Sequence, residues 1–127
     1  MTDEKNAKQH GATALAYLGD AVTELKVRET LLSLGVTDTG RFNELALGFV
    51  TAHAQSLAYA RIEPLLGEDE AEIMKRGRNA NITHRPRNQT QADYRRATGF
   101  EALMGYLYLS GQMRRAQTLF QLGRVKE

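Results

Sequence analysis

Apolar residues in this chain recur at the spacing of a helix and nowhere at the spacing of a strand. Phe100, Leu103, Met104 and Leu107 follow the i, i+3, i+4, i+7 pattern of a core-facing helical stripe. Leu15, Leu18, Val22 and Leu25 form a second stripe, in a helix predicted from about residue 11 to Leu34, with Gly35 as its stop. β-Branched residues are scattered, and no window alternates apolar and polar residues between turn signals. The fold class that follows is all-α. A further helix is expected from near Arg41 to before Pro64, carrying Leu45, Phe49, Ala52 and Leu57. The segment "EDEAEIMKRG" places acids in its first turn and Lys75 and Arg76 in its last, with Gly77 as terminator, in keeping with the helix dipole. A short last helix, about 112–122, follows a break at Gly111.

At 127 residues the chain is expected to form one domain, with its core in about 11–122. It has no cysteine, so it holds neither a disulfide nor a thiolate metal site. The opening "MTDEKNAKQH" is polar, and no apolar run approaches the roughly 20 residues that span a bilayer. A cytoplasmic protein without a membrane association is expected. Charge is unevenly spread. Residues 75–96 hold Lys75, Arg76, Arg78, Arg85, Arg87, Arg95 and Arg96 against Asp93 alone, a net +6, while the rest of the chain is −4. Much of this segment is the aperiodic stretch "GRNANITHRPRNQTQAD", a long polar loop. One concentrated basic segment on an acidic body points either to an anionic partner such as nucleic acid or to a solvated loop.

Two carboxylates stand in unexpected places. Asp20 follows a glycine in "LAYLGDAV", nearly opposite the Leu15 stripe, on a face shared with Thr13, Ala16, Glu24, Val27 and Leu31. That face is too apolar for plain solvent exposure, and Val27 and Leu31 call for cover from the second helix or from a second copy of the chain. Glu101 is the only acid between Tyr94 and Lys126, set among Ala97, Met104, Gly105 and Tyr108. Ion pairs with Arg95, Arg96, Arg114, Arg115 or Arg124 would give it a structural role. Buried carboxylates otherwise need a partner or a metal. If the two converge, the absence of a His or Cys set favours a hard cation, Mg²⁺ or Mn²⁺, held by oxygens and water. Such an ion activates water and stabilises charge on a phosphoryl oxygen. His10, His53 and His84 show no ligand spacing, and no nucleophile elbow or phosphate-binding glycine loop is present.

"LAYLGDAV" resembles the ribonuclease III signature, and "FEALMGYLYLSG" resembles that family's second motif, 81 residues further on between Asp20 and Glu101. With "KRGRNA" and "YRRATGFEALMGYLYL", about residues 11–122 resemble the Mini-III ribonucleases, catalytic domains without a double-stranded RNA-binding domain. The resemblance implies an all-helical, Mg²⁺-dependent endoribonuclease acting as a homodimer on double-stranded RNA. It further implies maturation of the 23S ribosomal RNA precursor, 5′-phosphate and 3′-hydroxyl products, and a possible accessory ribosomal protein. Asp20 and Glu101 match the catalytic and metal-ligating acids of the two motifs. The longer enzymes carry two further acids where this chain has Ala16 and Thr98, so a second ion would have fewer protein ligands and more waters. Lys75, Arg76, Arg78, Asn79, Arg85 and Arg87 become the candidate RNA contacts, since A-form RNA is read through phosphates, 2′-hydroxyls and groove shape. Arg95 and Arg96 are divided between RNA and nearby acids. Two alternatives remain: a non-catalytic double-stranded RNA-binding or ribosome-associated module of the same fold, and a helical DNA-binding or interaction protein.

Overall fold

The computed structural model describes residues 4–80, 85 and 87–124. Seven helices occupy the described residues, in chain order: α1 (Glu4–Lys8), α2 (Ala12–Ser33), α3 (Thr39–Val50), α4 (Ala52–Ile62), α5 (Glu68–Arg78), α6 (Gln91–Leu109) and α7 (Met113–Gly123). A 3₁₀ turn, Glu63–Leu65, joins α4 to α5 at Pro64. Among the described residues there is no strand, as the apolar spacing predicts. Helix α6 is the axis of the fold. Phe100, Leu103, Met104, Tyr106 and Leu107 are buried in the core cluster, and α2, α4, α5 and α7 all pack against this helix.

The helix ends follow local chemistry. Gly35 and Gly111 take φ of 85° and 79°, the left-handed conformation that closes α2 and α6. Asp38 caps α3 by accepting from the Gly40 amide, and Thr90 caps α6 by accepting from the Asp93 amide. The single helix expected from Arg41 to Pro64 is two. Thr51 is extended, with φ −67° and ψ 153°, and its hydroxyl accepts from the Ala54 amide, so it ends α3 and begins α4. Gly77 is not a terminator either: α5 runs through it to Arg78. Its lack of a side chain serves packing, because a Cβ there would lie 2.8 Å from the Gly99 Cα of α6.

Helix α2 is buried differently from the predicted stripe. Leu15 and Val22 are buried and Leu18 partly so, but Leu25 is 49 % exposed. Val27 and Leu31 are buried within the chain, and α3 packs on α2. The cover they require thus comes from the same chain. The polar opening also forms structure: α1 buries Ala7, and Lys8 pairs with Asp69 at 2.7 Å and Glu72 at 2.9 Å on α5.

Candidate active site

Asp20 and Glu101 meet because two helices touch backbone to backbone. A Cβ on Gly19 would collide with the Glu101 carbonyl, and one on Gly105 with the Leu15 carbonyl. These two glycines allow α2 and α6 to cross with no side chain between them. Asp20 follows Gly19 in the chain, so its carboxylate emerges beside that of Glu101. The glycine of "LGD" and the glycine of "ALMG" are the two halves of one contact.

The pair lines an open cavity of about 380 Å³ together with Thr13, Ala16, Tyr17, Val50, Ala52, Gln55, Gln89, Tyr94, Ala97 and Thr98. Asp20 is exposed and Glu101 partly buried. Burial, then a hydrogen bond to Asp20 and its charge, push the Glu101 carboxyl up to about 8. Near neutral pH Glu101 is therefore largely protonated and donates to Asp20. Among the described residues no ion pair includes Glu101. Arg95 donates instead to the Arg78 and Ala80 carbonyls, and Arg115 grips Glu70 through two 2.8 Å bonds. Two adjacent carboxylates that retain a proton form a donor set suited to one hard divalent cation in its place. The described residues offer no group of three His, Cys, Asp or Glu, so water would complete most of such a shell. Ala16 and Thr98 line the cavity without adding a carboxylate, and the Thr98 hydroxyl donates to the Tyr94 carbonyl.

The basic segment surrounds this cavity unevenly. Lys75, Arg76 and Asn79 line a second open depression, of about 760 Å³, with Thr13 common to both spaces. Lys75 and Asn79 are exposed. Arg76 is engaged within the chain, donating to the Lys8 and His10 carbonyls at 2.9 and 2.8 Å, and so clasps the end of α1. Arg78 hydrogen-bonds Asn79 Oδ1 and the Tyr59 hydroxyl. On the far side Arg85 donates to the carbonyl of Gln89, which lines the cavity. Arg87 is exposed in the turn before α6, and Arg96 is exposed on α6. Asn81, Ile82, Thr83, His84 and Pro86 of the same loop lie outside the described residues.

Sequence reasoning did not single out Tyr17, Gln55, Gln89 or Tyr94 as lining residues. Gln55 carried no signal of its own, since only the structure shows its helix neighbours Ala52, Ala58 and Tyr59 to be buried.

The ribonuclease III domain family matches residues 13–112. The chain is 44% identical over 107 residues to the Mini-ribonuclease 3 of Symbiobacterium thermophilum, covering 84% of this chain and 82% of that protein. It is 43% identical over 117 residues to the Mini-ribonuclease 3 of Enterococcus faecalis, covering 91% and 89%. Its fold is similar to a crystal structure of a Fusobacterium nucleatum protein, with a TM-score of 0.81 at 30% identity over 94% of each chain. The two motifs lie within the matched region and their acids share one cavity: the chain belongs to the ribonuclease III family of endoribonucleases.

Proposed function

We propose that this endoribonuclease cleaves double-stranded RNA by metal-assisted hydrolysis, that it acts as a homodimer, and that precursor 23S ribosomal RNA in the cytoplasm is its substrate. One observation carries the reading: the Asp20–Glu101 cavity adjoins, at the shared Thr13, a depression lined by Lys75, Arg76 and Asn79 with a single acid, Glu72. Asp20 and Glu101 would hold Mg²⁺, or Mn²⁺ in its place, which supplies charge neutralisation at the phosphate and a more acidic water. Lys75, Asn79 and the exposed Arg87 contribute donors for backbone phosphates and 2′-hydroxyls along the rim. With such an ion bound, both carboxylates would be ionised, the Glu101 proton passing to solvent. Attack of water on phosphorus with departure of the 3′ oxygen leaves the 5′-phosphate and 3′-hydroxyl ends expected of the family. The homodimer is supported by large apolar side chains left exposed along α2, where Tyr17 is 86 %, Leu25 49 % and Leu32 62 % exposed around the Glu24–Arg28 ion pair.

Asp20→Asn tests the mechanism, because it preserves shape and removes charge. Cleavage of a duplex RNA in Mg²⁺ should be abolished while RNA binding and thermal stability persist. Undiminished cleavage by this variant overturns the metal role. A wild-type protein that binds duplex RNA and cuts none, with or without Mg²⁺ or Mn²⁺, would instead establish the non-catalytic reading.

A further inference from the structure

Gln55 is only 4 % exposed, yet among the described residues its side-chain amide makes no hydrogen bond. It stands in the wall between two spaces. On one side lies the cavity of Asp20, Glu101, Thr13, Tyr94 and Thr98. On the other is a void of about 20 Å³, bordered largely by Phe49, Ala58, Phe100 and Phe120. Arg124 also lines this void, but no hydrogen bond among the described residues joins the Gln55 amide to it, so the donors of the amide are left to the cavity side. Among the described residues the buried side-chain N and O atoms without a partner are confined to Thr23 Oγ1, so the Gln55 amide is open to the cavity, and an apolar side chain of equal length would lose no hydrogen bond within the described chain. An amide so placed is free to bind a group that enters the cavity.

The chemistry of the cavity indicates which partner. Ionised carboxylates only accept hydrogen bonds, and they repel a phosphodiester. The Thr98 hydroxyl is already committed to the Tyr94 carbonyl. A neutral amide donor can approach a phosphate without disturbing a cation held by the acids, and of the two side-chain amides that line the cavity Gln55 is buried and Gln89 only half-buried. We propose that the Gln55 side-chain amide donates a hydrogen bond to a non-bridging phosphate oxygen of the RNA strand in the cavity, a substrate contact that rests on the nuclease reading above.

The test compares wild type with Gln55→Leu and Gln55→Glu, measuring kcat and KM on a duplex RNA in Mg²⁺ and thermal unfolding without metal or RNA. Gln55→Leu should unfold at the wild-type temperature or above it, while kcat falls by about 10²-fold, the effect typical of removing a transition-state donor, with KM little changed. Gln55→Glu should be slower still, because it faces the phosphate with a carboxylate. Wild-type kcat in Gln55→Leu, or activity falling in step with a lower unfolding temperature, overturns the proposal by returning Gln55 to packing. Gln55→Glu outperforming Gln55→Leu also overturns it, because an acceptor would then be what the site needs. If the wild type cuts no duplex RNA, the nuclease reading itself falls; an active wild type with an indifferent Gln55 removes this interaction alone.

Discussion

A carboxyl pushed up to about 8 beside a second carboxylate couples the stability of the fold to pH. Its ordinary value is 4.5, so the protonated form is the one favoured by folding. The contribution of Glu101 is complete below that value and is lost as pH rises through about 8. Without divalent cation, the unfolding temperature should therefore decline from about pH 5 to about pH 9, and Glu101→Gln should remove that part of the decline. Added Mg²⁺ should restore the wild type at the alkaline end, where both acids are ionised, and should do little for Glu101→Gln. An identical pH profile in the two proteins would show that Glu101 does not carry the effect. At this scale the sequence was legible where chemistry is carried by motif: Asp20 and Glu101 stand out as acids among apolar neighbours. Gln55 was not, because a glutamine within a helix reads as solvent-facing until the other helices surround it.

Between elements, the decisive contact is the one with the fewest atoms. Gly19 and Gly105 bring α2 and α6 together, and this crossing sets how far apart the two carboxylates stand. Gly19→Ala should destabilise the fold by about 1–3 kcal/mol or more, since the added methyl meets a carbonyl that cannot rotate away. Cleavage at temperatures where the variant remains folded should fall as well, as the helices part. Equal stability and activity in Gly19→Ala would mean that the crossing is loose. Most helix boundaries followed from periodicity and caps, but α1 lies in an opening that reads only as polar, and two punctuation marks misled. Gly77 has the composition of a stop and the function of a contact with Gly99, which only the neighbouring helix reveals. Thr51 divides what the apolar pattern joins, because its hydroxyl offers the chain a second cap.

For the whole molecule, the uneven charge resolves into residues with different duties. Lys75 and Arg87 are exposed, so neutralising both should flatten the salt dependence of RNA affinity by about one logarithmic unit for each phosphate left without its cationic side chain, with stability unchanged. Arg76→Gln should behave differently. It frees the end of α1 from α5 and costs about 2 kcal/mol of stability, as expected when hydrogen bonds from a charged donor are removed, with a smaller effect on the salt slope. No basic residue declares such a commitment in sequence, because the carbonyls it binds are 68 and 66 positions away. Leu25→Glu with Leu32→Glu should yield a folded monomer by sedimentation, and a monomeric wild type would remove the dimer from the proposed function. No described helix is long and apolar enough to cross a membrane. The glycine crossing also bears on how the enzyme would respond to warming. A joint between main chains contains no rotatable side-chain bond, so rotamer disorder elsewhere in the core leaves it untouched. The spacing of the two backbone positions that carry the acids is then an all-or-none property, kept until the helices separate and lost with the fold itself.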